Sequence, residues 1–255
     1  MWEFSLNLKS ENIFVAEKAF NFLKDYFEMM EGFVTLHEEN GYKQILIAID
    51  EGKIEIGKRA ITSCIIDIIC NDYKMSYLDQ YLLIPCQDKI GMLAFKKALL
   101  NFDSETDKFI IKKALEIKSD IYLESFYHFK LKSLKNKWAE LVALANENRD
   151  YLLSDESFVD LLKFLVDNLD ICEDEISIVK EDGGYRIYTE NNDYQQVLFN
   201  EENIVCSVID LSPQRINLYV NDNSSAINLL KQIFDERISI NKVSFQNIKK
   251  IKINT

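Results

Sequence analysis

The middle of the chain lacks glycine and proline over long distances, and this feature constrains the fold more than any other. Glycine is absent between Gly91 and Gly183, and proline is absent between Pro85 and Pro213. Both residues interrupt helices, so their absence allows several helices in succession. Apolar residues at three- and four-residue spacing predict such helices. The predicted helices cover residues 90–100, 107–117, 119–152 and 157–169.

The N-terminal third combines strand and helix patterns. Its first residues alternate apolar and polar side chains, which is typical of a half-buried strand. Ser10 is a suitable N-cap for the helix that follows. Asn40 and Gly41 can supply the positive φ angles of a tight hairpin turn. The predicted elements are a strand (2–8), a helix (10–30), two hairpin strands (33–37 and 42–49) and a helix (54–71).

The C-terminal third returns to strand patterns and contains two turn signals. Gly183 and Gly184 follow Asp182 and indicate a hairpin. Pro213 has the fixed φ angle of the second position of a turn and predicts another hairpin. The predicted elements are hairpin strands at 175–180 and 185–190, hairpin strands at 204–211 and 215–220, a helix that begins after 221–224 and ends at 237, and a strand-like segment at 238–253.

These patterns predict an α+β fold. Strand-rich N- and C-terminal thirds, with β-hairpins and packed helices, surround a central all-helical block. The predicted divisions are an N-terminal α/β subdomain (1–84), a helical subdomain (85–170) and a C-terminal α/β subdomain (171–255). The patterns leave open whether the outer thirds form one sheet or two.

The net charge and the cysteines indicate the compartment and the disfavoured partners. The chain has 42 acidic and 30 basic residues and a formal net charge of −12, which repels DNA and anionic lipid at long range. The most apolar stretch, 61–70, is too short to span a membrane, and the first residues lack the pattern of a secretory signal. Five cysteines without a CxxC pair are typical of free thiols in a reducing compartment. The sequence therefore predicts a cytoplasmic protein with no membrane contact.

Motifs of catalytic and cofactor sites are missing from the sequence. It contains no GxGxxG, GxxxxGKS/T or GxSxG motif, and its two histidines, His37 and His128, exclude HExxH and sites of three imidazoles. Glu124 and His128 could begin a metal-ligand set on one helix face, but a surface pair is favoured. The acidic run 170–175 lacks the ligand spacing of an EF-hand and predicts a solvated connection. We expect no catalytic residue, no metal site and no cofactor.

A basic and aromatic segment is the candidate interaction site. Within residues 125–138, four lysines lie in eight positions of an acidic protein. An apolar stripe at helical spacing runs beside them (Tyr127, Leu131, Leu134, Trp138, Leu141 and Ala145). The segment is either a surface that contacts phosphate or an acidic partner, or a core helix whose lysines extend past the stripe into solvent, which is the commoner case. The candidate surface consists of His128, Lys130, Lys132, Lys135 and Lys137.

Three short motifs in the second half of the chain point to a known family. They are Glu124-Ser125-Phe126 with Phe129-Lys130-Leu131-Lys132, Leu211-Ser212-Pro213 with Ile216-Asn217-Leu218-Tyr219, and Ile233-Phe234-Asp235-Glu236-Arg237-Ile238. In order and spacing, over residues 110–240, the chain resembles the YtxC-like family of sporulation proteins from endospore-forming bacteria. The resemblance implies a role in spore formation and no established activity, so it supplies no catalytic residues.

The sequence predicts a non-enzymatic, sporulation-associated cytoplasmic protein that acts through contacts with an unidentified protein partner. Its oligomeric state is left open. One alternative is nucleic-acid binding through the helix at 126–138, which the net charge disfavours. Another is an enzyme whose site combines dispersed carboxylates with His128.

Overall fold

The computed structural model describes residues 1–84, 88–147, 155–189, 198–220 and 223–241, and it confirms the predicted α+β class. Its helices are α1 (Ile13–Glu28), α2 (Ile54–Asp67), α3 (Lys74–Tyr81), α4 (Lys89–Asn101), α5 (Ser104–Ala114), α6 (Leu123–Lys130), α7 (Lys132–Glu147), α8 (Asp155–Asp167), α9 (Glu201–Leu211) and α10 (Ser225–Phe234). Its strands are β1 (Trp2–Lys9), β2 (Phe33–Glu39), β3 (Tyr42–Ile49), β4 (Asp120–Tyr122), β5 (Glu173–Glu181), β6 (Gly184–Thr189), β7 (Pro213–Tyr219) and β8 (Ile238–Ile240).

The chain divides into two compact units. Unit 1 consists of Met1–Leu82 and Asp103–Leu144, and unit 2 consists of Leu83–Phe102 and Ala145–Thr255. This division differs from the predicted one, because the central helices are shared between the two units. The strands described form two separate four-stranded sheets, one in each unit.

The sheet of unit 1 has the order β2-β3-β1-β4, in which β4 runs parallel to β1 and the other pairs are antiparallel. The predicted hairpin between β2 and β3 is confirmed, since Asn40 (φ 51°) and Gly41 (φ 80°) take the positive angles of the turn. One sheet face lies in the core, where its β1 and β3 residues are buried and its β2 residues half-buried, and α1 contributes its own buried residues to the same core. The buried side chains of this layer are Phe4, Leu6, Leu8, Ile45, Ile47 and Ile49 of the sheet and Ala16, Ala19, Leu23 and Phe27 of α1.

A π-helical segment joins α2 to α3. Residues Ile68–Tyr73 form one widened turn between the two α-helices, a feature that is rare and often functional. The predicted helix at 54–71 therefore continues ten residues further, to Tyr81. Tyr73, the last residue of this segment, and Lys74, the first residue of α3, form hydrogen bonds with two different carboxylates.

The sheet of unit 2 has the order β6-β5-β7-β8. Strands β5 and β6 form the predicted antiparallel hairpin, with Gly183 at a φ of 95° in its turn. Strands β7 and β8 are parallel to their neighbours, and each follows a helix. The residues at the centre of this unit's core are fully buried on the strands and on the helices that pack against them (Ile176, Ile178, Ile187, Ile216, Leu218, Val208, Ile209, Leu230 and Ile233).

The hairpin predicted around Pro213 is wrong. Residues 201–211 form α9, and Pro213 begins β7, which pairs in parallel with β5. Asn200 caps the helix through a hydrogen bond from the Asn203 N–H, and Ser212 ends it in the left-handed conformation. A short apolar run fits both the two-residue period of a strand and the 3.6-residue period of a helix. The buried positions of α9 have the helical period (Ile204, Val205, Val208 and Ile209).

Two predicted helix boundaries are also wrong. Helix α1 begins at Ile13 rather than at Ser10, because the residues before it donate to Glu124. The predicted helix at 119–152 begins with a strand, β4, since Ile121 completes the buried face of the sheet. The predicted helix then divides at Leu131.

Some predicted features lie outside the described residues. They are the end of this helix beyond 147, Cys86, the predicted cap residues 221 and 222, and most of the segment at 238–253.

No helix among the described residues is long and apolar enough to cross a membrane.

Burial separates the cysteines into reactive and unreactive ones. Burial raises the pKa of Cys64 to about 12 and that of Cys70 to about 11, whereas Cys172 is exposed. Because the thiolate is the nucleophile, we expect iodoacetamide at pH 8 to alkylate Cys172 at least about tenfold faster than Cys64 or Cys70. Peptide mapping by mass spectrometry gives the rate at each site. Equal rates in urea are the control, and native labelling of Cys64 at the rate of Cys172 would contradict the prediction.

Candidate functional site

The candidate segment is two helices that meet at Leu131. Leu131 has φ −103° and ψ 36°, outside the helical region, and its carbonyl accepts the first hydrogen bond of α7, from the Lys135 N–H. Its side chain is fully buried, as are those of Leu134 and Trp138. The predicted apolar stripe is therefore confirmed as core, with Tyr127 and Leu141 half-buried.

The five residues of the candidate surface have three different environments. His128, Lys130 and Lys132 are exposed beside the break at Leu131. Lys135 is half-buried, donates to the His128 carbonyl and lies 5.4 Å from the centre of the Tyr127 ring. The fifth residue, Lys137, pairs with acids of α5. Of the five predicted residues, three are therefore exposed, Lys135 is half-buried against its own segment, and Lys137 pairs with a buried carboxylate.

A buried ion pair, which the sequence analysis did not identify, lies behind this segment. The ammonium of Lys74 is 2.8 Å from Asp107 Oδ2, and each side chain is only 1 % exposed. Trp138 Nε1 donates to the same carboxylate oxygen over 3.1 Å, and Lys137 Nζ lies 2.9 Å from Oδ1. Lys137 also pairs with Asp103 at the start of α5. One buried carboxylate thus accepts hydrogen bonds from α3 and α7.

The pKa values of the two lysines in this cluster, Lys74 and Lys137, shift in opposite directions. Burial lowers the pKa of Lys74 from its usual value, and the attraction of Asp107 opposes the shift only in part. Burial also disfavours the charge of Lys137, but its hydrogen bonds with Asp103 and Asp107 outweigh that effect and raise its pKa. Asp107 therefore offsets the cost of burying a lysine whose surroundings favour the neutral form.

Glu124 forms a second buried carboxylate centre in unit 1. Its side chain is 8 % exposed, and Oε1 accepts hydrogen bonds from the Lys9 N–H (2.9 Å), Asn12 Nδ2 (3.1 Å) and the Tyr73 hydroxyl (3.1 Å). Its other oxygen, Oε2, is buried without a hydrogen-bond partner among the described residues. Burial and the negative charge of Glu124 raise the pKa of Tyr73. Glu124 connects β1, the start of α1 and the π-helical segment.

The predicted surface pair of Glu124 and His128 is not formed. Glu124 lies in the interior and is held by three donors, whereas His128 is exposed. Among the described residues, no group of three or more histidine, cysteine, aspartate or glutamate side chains could hold a metal ion. The interpretation of this pair as the start of a ligand set therefore has no third ligand in the described part of the chain.

A sequence signal for the ion pair does exist. In α3 and the segment before it, Lys74 stands four residues from both Cys70 and Leu78, which are buried. In α5, Asp107 stands four residues before the buried Ile111. A lysine and an aspartate that each occupy an apolar helix face indicate a buried pair, because such charges are rarely buried alone.

The comparisons with known proteins identify the family. Residues 57–239 match the model of the YtxC-like family, which is more than half of the chain. The chain belongs to the YtxC-like family. The match begins further toward the N-terminus than the resemblance at 110–240 and includes both buried carboxylates of this YtxC-like protein. No curated protein and no solved structure matches the chain.

The motifs of this YtxC-like protein divide between core and surface. Ile216, Leu218 and Phe234 are buried, as expected for structural positions. Glu124, in the first motif, is the buried acceptor of three hydrogen bonds. Lys130 and Lys132, also in the first motif, are exposed. The first motif therefore contains both a buried residue that connects elements of the fold, Glu124, and two exposed residues of the candidate surface, Lys130 and Lys132.

Proposed function

We propose that this YtxC-like protein is a non-enzymatic, sporulation-associated cytoplasmic protein that acts through protein–protein contacts. Its contact site is the surface formed by His128, Phe129, Lys130 and Lys132, which we call the basic surface. The family resemblance supports the role in sporulation, and the exposed aromatic side chain beside two exposed lysines supports the contact site.

The exposure of Phe129 is the observation that carries the proposal. Its side chain is 72 % exposed, although it lies between His128 and Lys130 in a segment whose other large side chains pack in the core. Aromatic side chains are enriched among the central residues of protein interfaces. Lys130 and Lys132 have no ion pair with any residue that the structure describes, so their charges are available to a partner.

The burial of the unusual ionisable groups supports a non-enzymatic role. Lys74 and Asp107 are almost completely enclosed, and Glu124 is 8 % exposed. A catalytic acid or base must come within hydrogen-bond reach of its substrate. These groups instead form hydrogen bonds and ion pairs between elements of unit 1, which is a structural role.

A complementation experiment tests the proposal. In a spore-forming host without the gene, we expect the wild-type gene to restore sporulation yield and Lys130→Glu with Lys132→Glu to fail, because the variant reverses the charge of the basic surface. The matched control is Lys112→Glu with Lys113→Glu, an equal change of charge on exposed positions of α5. Spore counts after heat treatment give the yield. Normal sporulation without the gene would refute the biological role, and full activity of the Lys130/Lys132 variant would refute the site.

Nucleic-acid binding is the second candidate function, and the same exposed phenylalanine favours it. A base can stack on Phe129 while Lys130 and Lys132 contact phosphates. In a gel-shift assay with single-stranded DNA, this function predicts binding that weakens with salt. Reversal of the two lysines would reduce the slope of log affinity against log salt by about 1.4, at about 0.7 for each lost contact. An absence of binding at low salt would exclude this candidate.

A further inference from the structure

Many lysines of unit 1 form ion pairs, whereas Lys130 and Lys132 of the basic surface, like Lys112 and Lys113 of α5, form none with a described residue. Partly exposed lysines of the same unit form ion pairs with acids, as Lys24 with Glu28, Lys53 with Glu31 and Lys58 with Glu55. Lys130 and Lys132 have no such partner in the described chain. In a protein of net charge −12, these two unpaired lysines, which stand one and three residues after the exposed Phe129, are a local exception to the overall charge.

Unit 2 carries a segment of complementary character at residues 170–174, which we call the acidic segment. Asp170 and Asp174 are exposed, and neither side chain has an ion pair with a described residue. Between them Ile171 is 54 % exposed, although it is a large aliphatic side chain. The acidic segment thus repeats the arrangement of the basic surface with the opposite charge: an exposed apolar side chain flanked by unpaired ionised groups.

We propose that the basic surface binds the acidic segment of a second copy of this chain. In a two-fold symmetric dimer the contact forms twice, because the basic surface of each copy faces the acidic segment of the other. Phe129 and Ile171 supply the apolar part of each contact, and Lys130 and Lys132 face Asp170 and Asp174. This inference rests on the proposed function for the location of the contact site, and it specifies the partner as an identical chain.

Ionic strength decides between the local attraction and the overall repulsion. Two copies of net charge −12 repel each other. Most of their charges are separated by more than the Debye length, which is about 8 Å at physiological salt, so salt screens most of this repulsion. Ion pairs at contact distance lie within that length and persist. We therefore expect dimers at about 0.15 M salt and their dissociation at about 1 M, where the Debye length is about 3 Å.

A charge-exchange experiment tests the proposal on the full chain. Variant A carries Lys130→Glu and Lys132→Glu, and variant B carries Asp170→Lys and Asp174→Lys. In each variant alone both contacts join like charges, so we expect sedimentation velocity to show a monomer at protein concentrations where the wild type is a dimer. In an equimolar mixture both contacts again join opposite charges. We expect this mixture to regain the dimer, with at least about tenfold tighter association than either variant alone.

The outcomes separate this inference from the proposed function. A wild-type chain that stays monomeric at high micromolar concentration, or a dimer that tolerates both reversals, would overturn the two-copy contact. A mixture of A and B that stays monomeric would also overturn it, provided that circular dichroism shows both variants folded. The loss of spore yield on reversal of Lys130 and Lys132, together with normal yield for variant B, would support the contact site but refute an identical chain as its partner.

Discussion

Asp107→Ala is expected to lower the free energy of unfolding of unit 1 by about 3–5 kcal/mol, because it leaves a buried ammonium without its counterion. Lys74 is 1 % exposed and 2.8 Å from the carboxylate, so water cannot replace the lost partner without opening the core. The change also leaves the indole N–H of Trp138 without its acceptor. Lys137 keeps Asp103 as a partner, so its contribution to the loss is smaller.

Fluorescence-detected urea unfolding measures this effect selectively. Both tryptophans of the chain, Trp2 and Trp138, lie in unit 1, so their emission reports on that unit. Asp25→Ala removes an exposed aspartate of α1 that has no ion pair in the described chain, and we expect it to change stability by less than about 0.5 kcal/mol. An Asp107→Ala effect of the same size as this control would contradict the structure of the buried pair.

A double replacement distinguishes the loss of a pair from the loss of packing. Lys74→Met with Asp107→Leu removes both charges and keeps most of the volume. Replacing a buried ion pair with apolar residues of similar size is often neutral or stabilising. We expect the double variant to be at least about 2 kcal/mol more stable than Asp107→Ala, because no buried charge remains. A double variant as unstable as the single one would show that the pair is required for packing.

The sequence predicted the parts of the fold that local geometry determines. Asn40 with Gly41, and Gly183, specify hairpin turns through their positive φ angles, which few other residues adopt. The alternation of apolar and polar residues in β1 and the apolar stripe of α7 arise because each element turns one side toward a core. These signals depend on neighbours in the sequence, so they needed no knowledge of the rest of the fold.

The errors occurred where contacts distant in sequence decide the structure. Residues 204–211 have an apolar run that fits a strand or a helix, and packing against α4 and α10 selects the helix. Residues 120–122 form a strand because they pair with the free edge of β1, whose paired residues lie 115 positions earlier in the chain. Likewise, Lys9 and Asn12, on either side of the expected cap Ser10, donate hydrogen bonds to Glu124, and α1 begins only at Ile13. Local propensity is a weak guide where tertiary contacts compete with it.

The candidate site shows the same division. The exposure of Lys130 and Lys132 was predictable, because the lysines of this segment flank an apolar stripe at helical spacing. The roles of Lys137 and Glu124 were not, since each depends on a partner from another element. A surface pair was expected for Glu124 from its spacing to His128, but three donors from β1, α1 and the π-helical segment hold it in the interior.

Glu124→Ala is expected to lower the free energy of unfolding of unit 1 by about 2–4 kcal/mol. The change leaves three donors without their acceptor, and each buried unsatisfied group costs about 1–3 kcal/mol when it stays dry. We place the expected value below the full sum, because water can enter the space of the removed side chain and satisfy some donors. Glu140→Ala, at an exposed position of α7, is the control and should have almost no effect.

A double-mutant cycle with Tyr73→Phe shows whether the stability comes from the hydrogen bonds themselves. The Tyr73 hydroxyl donates to Glu124, so the two single changes remove the same bond and their effects should add to more than the effect of both changes together. We expect a coupling energy of about 0.5–3 kcal/mol, the range for residues in direct contact. The cycle is measured by tryptophan fluorescence in urea, as for Asp107. Strict additivity would show that Glu124 stabilises unit 1 without the bond to the π-helical segment.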